Sequence, residues 1–344
     1  MKIMSKVAFL TDSSCDIPAD LAEKYGIEIA CFPVNLDGKE YIERKDMTND
    51  QFYKMMREAT GCPTTAAITS LQWLEFYTRF ADEGYTDVVH ASINSAGSST
   101  YDNAIAAAKM LYEERPDCTM KIRLVDSHTY SMVFGWYVCE CARKVRNGAS
   151  VADAVLAMEE KFAKVEVCLA AFSLKQMKKS GRISAAAAFA GELLGLRPII
   201  SLNDGISKVE AKVRGDNNVM PAMLKWIRTR VENLKDTPYM VAYTESTDRR
   251  DELVKLCRKE FGHAPMCTFQ LGAAVSAKPA PMRWPSSLRA SPAACATICR
   301  RCRNFVLFCR FGPVWPGRLF SVRARQCPRT GLYFSAVHGT IGRV

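Results

Sequence analysis

Short apolar runs alternate with longer amphipathic stretches along the first 277 residues of the chain. The run "KVAFLTD" (6–12), bounded by the turn chemistry of "DSSCDIP", predicts a buried strand, and "PADLAEKYG" predicts a helix that Pro18 opens and Gly26 closes. "IEIACFPVNL" (27–36) reads as one strand, followed by helices at "DQFYKMMREAT" and "SLQWLEFYTRFADEG". A strand at "TDVVHASI" (86–93), a long helix at "SSTYDNAIAAAKMLYEERP", a strand at "KIRLVDS" and two helices around "MVFGWYVCECARKV" and "SVADAVLAMEEKFAKV" complete this set. Strands alternating with helices of this length predict a doubly wound parallel sheet.

A second set begins near residue 165, with no Gly/Ser linker before it. "VEVCLAAF" reads as a strand and "LKQMKKSGRISAAAAFAGELLGL" as two short helices around Gly181. "RPIISLNDGISKVEAKVRG" predicts two strands joined by an Asn-Asp-Gly turn, a strong hairpin signal. A helix at "VMPAMLKWIRTRVENL", a strand at "YMVAYTE", a helix at "DRRDELVKLCRKEF" and a strand at "MCTFQLGAAV" follow. The expectation is two α/β domains, 1–165 with a doubly wound parallel sheet and 166–277 with a mixed sheet, then a tail over 278–344.

The charge sits unevenly. The tail holds eleven Arg and one Lys with no acid, whereas residues 1–277 carry 35 basic against 36 acidic side chains. An electrostatic grip on a polyanion is therefore not implied for the folded part. Nine cysteines scattered through 1–277 without a repeating spacing read as reduced thiols in a cytoplasmic core. The apolar run near the N-terminus is too short for a signal-peptide core or a membrane span.

Ligands of doubly wound sheets bind at the carboxyl ends of strands, so the loops there are the candidates for chemistry. "TDSSCD" places Asp12, Ser13, Ser14 and Asp16 after the first strand, where they suit either a polar rim to a cleft or plain helix capping. "ASINSAGSSTYDNA" offers Ser92, Asn94, Ser95, Ser98, Ser99 and Thr100 ahead of a long helix. Free N–H groups and the helix dipole there favour an anion, a phosphate or a carboxylate; a capped helix behind a small-residue turn explains the same residues. "TTAAIT" (64–69) is a third, weaker hydroxyl-bearing loop. No G-x-S-x-G elbow occurs, and none of His90, His128 and His263 stands in a recognisable catalytic setting. Cys139 and Cys141 would point apart on a helix, so no metal site is expected. The residues point to a protein that binds a small anion attached to something apolar, without a cofactor. A hydrolase or transferase using Ser95 or Ser13 as nucleophile is the alternative, and it lacks a general base.

At this point the chain resembles the DegV family. "KVAFLTDSSCDIP" is similar to that family's V-x-x-x-T-D-S-x-x-D-[LI] opening; "TTAAIT" lies where the family has T-S-Q-P-S, and "INSAGSSTYDNA" where it has I-S-S-x-L-S-G-T-Y-Q-x-A. "LKQMKKSGRIS…GELLGLRPIISLNDGISKVEAKVRG" is similar to the family's L-x-x-L-x-x-G-G-R-I segment and the stretch that follows it. The resemblance spans essentially all of 1–277. It implies a bacterial two-domain carrier that holds one long-chain fatty acid in a tunnel between its domains and presents it to a separate kinase subunit. That kinase forms an acyl phosphate for phospholipid synthesis. Carried over residue by residue, the hydroxyls holding the carboxylate fall on Thr65 and Ser95, and the Arg of G-G-R-I falls on Arg182, expected near the head group or the kinase. Asp12, Ser13, Asn94 and Ser98 are the other candidates for that face. Ala66, Ala67 and Ser99 depart from the family pattern without removing either ligand hydroxyl. Burial of the alkyl chain at about 0.8 kcal/mol per methylene would supply most of the affinity.

The tail reads differently. Cys299-x-x-Cys302, with Cys295 and Cys309 nearby, suggests zinc, and the arginines suggest nucleic acid or an anionic membrane. Yet helical periodicity vanishes and seven of the fifteen prolines crowd in. DegV-like chains end in a turn of the form H-x-G-P-G-A and a last apolar strand. Reading "KPAPMRWPSS" one frame over permits Ala-Gly-Pro-Asp-Ala-Leu-Ala-Ile-Val, with the seventh residue forced to Ala. The expectation is that the tail is out of frame and disordered or misfolded, and that it carries neither nucleic-acid binding nor a stable membrane anchor.

Overall fold

A computed structural model of the chain describes residues 6–172, 195–279 and 305–310. The predicted pair of short helices around Gly181 lies outside them. The first sheet is fully parallel: β1 (Val7–Asp12), β2 (Ile27–Ala30), β6 (Asp87–Ser92) and β7 (Lys121–Asp126) stand in the order β2-β1-β6-β7. Consecutive side chains of β1 and β6 enter opposite cores. Leu10 and Val88 meet Trp73, Tyr77 and Phe80 of α3 (Ser70–Asp82) and Ala104, Ala107 and Leu111 of α4 (Thr100–Glu114). Phe9 and Val89 meet Val133, Phe134 and Val138 of α5 (Met132–Arg146) and Val155 and Met158 of α6 (Val151–Phe162). Burial on both faces is why these strands read as continuous apolar runs rather than alternating ones.

The helices begin where the sequence supplies acceptors for their unpaired first N–H groups. Reciprocal capping boxes, Thr48/Gln51 and Thr69/Gln72, open α2 (Asn49–Glu58) and α3. Helix α1 (Ala19–Tyr25) ends on Gly26, which adopts the left-handed conformation, φ 55°. Gly135 is required for a different reason: a Cβ there would collide with the Cys15 carbonyl, so α5 lies close against the turn after β1.

The predicted single strand over 27–36 is two strands in two sheets. At Phe32 the N–H donates to Ser13 Oγ (2.9 Å) and the carbonyl accepts from Glu43 N (3.0 Å), which turns the chain out of the parallel sheet. β3 (Pro33–Leu36) then pairs with β4 (Lys39–Ile42) across Asp37 and Gly38, both at positive φ, as a two-residue hairpin demands. With β5 (Thr64–Thr65) and β13 (Lys278–Pro279) they form a small sheet in the order β13-β5-β3-β4, which packs on α2 through Val34, Phe52 and Met56.

The second sheet is mixed. β8 (Glu166–Ala171), β9 (Leu196–Asn203) and β10 (Ile206–Arg214) run antiparallel, and β11 (Tyr239–Tyr243) and β12 (Thr268–Gln270) are parallel to one another. One face meets α7 (Val219–Arg230) and α8 (Thr247–Phe261) through Ile199, Val241, Met223, Ile227 and Leu253. The other contributes Val167, Leu202, Met240 and Phe269 to the core around α5 and α6, so the α5–α6 layer is sandwiched between the two sheets. The fold is thus α/β, a parallel sheet followed by a mixed one.

Two features near the end of the chain depart from expectation. The strand predicted at "MCTFQLGAAV" stops at Gln270, and Ala273–Ser276 form the short helix α9. Gly272 N donates to Asp16 Oδ1 (3.0 Å) and Ala274 N to Glu43 Oε1 (2.8 Å), so side-chain acceptors on other elements take the amides a strand would use. Second, the tail contributes two strands: β13 (Lys278–Pro279), parallel to β5, and β14 (Phe305–Arg310), antiparallel to both β8 and β11 and lying between them. "FVLFC" is the kind of β-branched and aromatic run that a doubly buried slot accepts.

Candidate functional site

Three loops meet at the carboxyl ends of β1, β6 and β7. Asp12, the last residue of β1, is completely buried. Its Oδ1 accepts from the Ser14 amide (3.2 Å) and hydroxyl, and its Oδ2 from Ser92 Oγ (3.0 Å) and Ile93 N (2.8 Å). Both oxygens are therefore spent on joining the end of β1 to the end of β6. Burial holds the Asp12 carboxyl above its ordinary range despite these bonds. Ser13 is equally engaged: its hydroxyl donates to Glu43 and accepts from Phe32 N. Its neighbour is a carboxylate rather than an imidazole, so the acceptor in contact with Ser13 is not the base of a Ser-His pair.

The loop after β6 carries Asn94, Ser95 and Ser98. Asn94 is buried and reaches three groups: its Oδ1 accepts from Ala96 N (3.1 Å), and its Nδ2 donates to Tyr130 Oη (2.9 Å) and to the Gly205 carbonyl (3.2 Å). Ser95 opens a 3₁₀ turn over Ser95–Gly97, and its amide donates to Asp126 Oδ1 (3.1 Å) at the end of β7. Ser98 Oγ lies 2.8 Å from Thr100 Oγ1 and accepts from Thr100 N (3.3 Å), closing the entry to α4. Of the Ser95 polar groups, the amide is thus committed to the scaffold.

Thr65 stands on β5, paired with Val34 of β3 and buried. Its loop is drawn to the start of α4 by two bonds: Asn103 Nδ2 donates to the Ile68 carbonyl (2.7 Å) and Trp73 Nε1 to the Thr100 carbonyl (3.1 Å). These bonds tie the segment after Thr65 to the first turn of α4, the helix that the Ser95 loop enters. Arg182 lies outside the described residues.

Sequence reading missed Glu43, Asp126 and Tyr130. Glu43 is buried, hydrogen-bonded to Ser13 and to Ala274 N, and desolvation pushes its carboxyl up to about 7. Asp16 is also raised well above its usual range, by desolvation first and by the nearby Glu43 second. These two acids receive the 272–274 segment, and nothing in "YIERKD" announces that role because the partner amides lie more than 200 residues away. A cavity of about 410 Å³ opens beside them, lined by Asp16, Glu43, Arg44, Thr48 and Gln270 among others; neither Thr65 nor Ser95 lines it. Among the described residues no group of three His, Cys, Asp or Glu side chains is placed to hold a metal ion, and no helix is long and apolar enough to cross a membrane.

A parallel sheet with hydroxyl-bearing loops gathered at its strand ends, followed by a mixed sheet, defines a two-sheet α/β protein with its polar loops where such sheets take ligands. The model of the DegV family, described as an uncharacterised protein family, matches residues 6–279, and the chain belongs to that family. A DegV domain-containing protein of Caldanaerobacter subterraneus is 27% identical over 278 residues, covering 81% of this chain and 96% of its own. One from Clostridium perfringens is 30% identical over 254 residues, 74% of this chain and 88% of the relative. Among solved structures, a stearic-acid-binding protein from Eubacterium ventriosum superposes with a TM-score of 0.73 at 20% identity, over 90% of this chain and 98% of that one. A DegV family protein from Thermus thermophilus, described by its fatty acid binding, gives 0.71 at 23% identity, over 90% and 100%. At these identities the likeness is one of fold.

Proposed function

We propose that this protein binds one long-chain fatty acid between its two α/β domains, 1–165 and 166–277, with the carboxylate held by the hydroxyls of Thr65 and Ser95. The observation that carries this reading is the anchoring of the segment after Thr65 to the first turn of α4, the helix that the Ser95 loop enters, on a fold whose solved relatives are described as fatty-acid-binding. Hydroxyls beside a helix N-terminus can hold a carboxylate without a fixed counter-charge, and can equally hold an acyl phosphate. The protein is then a carrier without a chemical step of its own, working in the cytoplasm. Its partner is a kinase that phosphorylates the presented carboxylate on the way to phospholipid; Ser98 and Arg182 belong to the face it meets, and the buried Asn94 holds the Ser95 loop behind it. Asp12 and Ser13 support that face from beneath, since their polar atoms are already engaged.

Native mass spectrometry of the protein purified from bacteria tests the reading. A bound long-chain acid in the wild type, lost in the Thr65→Ala/Ser95→Ala double variant with the fold intact, is the expected result. An empty wild type that also takes up no added oleic acid would overturn it.

A further inference from the structure

His128 enters none of the chemistry above, yet the fold places it at the junction of the site loops with the second sheet. It follows Ser127 at the end of β7 with φ 51°, a left-handed conformation uncommon for a side-chain-bearing residue. Its amide donates to Asp126 Oδ1 (2.9 Å), the same oxygen that accepts the Ser95 amide at 3.1 Å. Its imidazole Nδ1 lies 3.5 Å from Asp126 Oδ2 and 3.6 Å from Asp204 Oδ1. Asp204 belongs to the β9–β10 turn of the second sheet, and the next residue, Gly205, presents its carbonyl to Asn94 Nδ2. That turn is tightly seated: Gly205 has φ 72°, and a Cβ there would lie 2.5 Å from Asn94 Oδ1.

Among the described residues the charges paired with the imidazole are of one sign. Asp126 faces it from β7 and Asp204 from the hairpin turn, while Tyr130, bonded to Asn94, and Tyr101 of α4, which feels the Asp126 charge, are the other titratable groups nearby. Among the described residues no lysine or arginine pairs with either carboxylate. A protonated His128 therefore stands between two carboxylates, one tied to the Ser95 amide and one on the opposing sheet. A neutral His128 leaves those carboxylates facing each other across the junction and leaves the negative Asp126 uncompensated beside Ser95. Both effects weaken the hold on an anion when the imidazole is neutral.

We propose that His128 is a positioning residue that makes ligand retention pH-dependent: charged, it clasps the β9–β10 turn to Asp126 and steadies Ser95; neutral, it lets the turn go. The proposal rests on the fatty-acid reading for its ligand but not for its clasp. Two partly exposed ion pairs correspond to an effect of about fivefold.

The test measures oleic acid affinity at pH 6 and pH 8, and hydrogen exchange of the Ser95 and Gly205 amides in the ligand-free protein, corrected for intrinsic rates. The wild type should bind about fivefold more tightly at pH 6. His128→Gln should bind at the weaker level at both pH values, and His128→Lys, charged throughout, at the tighter level at both. In the ligand-free protein, His128→Gln and Asp204→Asn should each reduce Ser95 amide protection at pH 6 and leave it unchanged at pH 8. A wild-type affinity that is flat in pH, or a dependence that survives in His128→Gln, overturns the clasp. If no oleic acid binds at any pH the carrier reading fails, and the exchange data still decide the clasp.

Discussion

The two sheets of this protein are completed in different ways. All four strands of the parallel sheet come from residues 7–126. The mixed sheet takes its interior strand β14 from residues 305–310, beyond the 6–279 span that the family model matches. Without that strand, β8 and β11 would present two unpaired edges in the middle of a sheet, a state that exposes backbone donors and acceptors to other chains. The comparison teaches that the second sheet contains a slot that some strand must fill. We propose that the native occupant is the apolar segment of the alternative reading frame after residue 277, and that residues 305–310 occupy its place.

The largest effect expected lies in the first sheet. Leu10 is fully buried between β1 and the α3–α4 layer, so Leu10→Ala should cost about 2–5 kcal/mol, read from denaturant unfolding. Because α5 and α6 share one core with both sheets, loss in the first should lower a single cooperative transition; two separate transitions would show the sheets to be independent.

Leu307→Pro addresses the slot itself. It breaks the β14 ladder to Leu169 and Ala242, and should destabilise the chain by about 3 kcal/mol or more, with the mixed sheet opened to limited proteolysis. A change below about 0.5 kcal/mol would mean that 305–310 carries no weight in the sheet. In a chain with the frame restored after residue 277 the melting temperature should rise, and resequencing the gene across codons 275 to 290 decides which frame is native.

Glu43 sharpens the link between the site and the end of the chain. Its carboxyl is raised to about 7 from 4.5, so the folded protein binds a proton that the unfolded chain has released between those values. The sign follows: its contribution is fully present below pH 4.5 and is lost as pH rises through 7, about 3 kcal/mol in all. Glu43→Gln should flatten the stability difference between pH 4.5 and pH 7.5 relative to the wild type. An identical pH profile in the two proteins would rule out Glu43 as the titrating group.

The smallest effect concerns Gly205. Gly205→Ala strains a positive φ and presses on Asn94, at a cost of about 1–3 kcal/mol, and should loosen the contact between the hairpin turn and the Ser95 loop. Faster exchange at Ala96 N, which Asn94 Oδ1 holds, is the direct readout. Unchanged exchange there would mean that the turn yields without disturbing the loop.

Much of the fold was legible because its signals are local. Apolar runs, capping residues and Gly26 located β1, α1 and α3 to α6 within a few residues, and Asn203-Asp204-Gly205 announced the β9–β10 hairpin. The hairpin of β3 and β4 carries an equally local Asp37-Gly38 signal, which was hidden because an apolar run across 27–36 looks continuous. The break at Phe32 and the early end of β12 had no local signal: both are made by side chains, Ser13, Asp16 and Glu43, that arrive from elsewhere in the chain. The same holds at the site, where the residue types of the Ser95 and Thr65 loops suggested an anion while Asp126, Tyr130 and His128 stayed silent.

Sequence alone determined the alternation of strands and helices, the hydroxyl-rich loops at strand ends and the abrupt change of character after residue 277, because these depend on composition and spacing within a few turns of chain. Only the tertiary structure decided which loops meet, which acids receive the 272–274 segment, and which strand closes the mixed sheet. Those outcomes are set by contacts between residues up to 256 positions apart, as between Asp16 and Gly272, which no window along the chain contains.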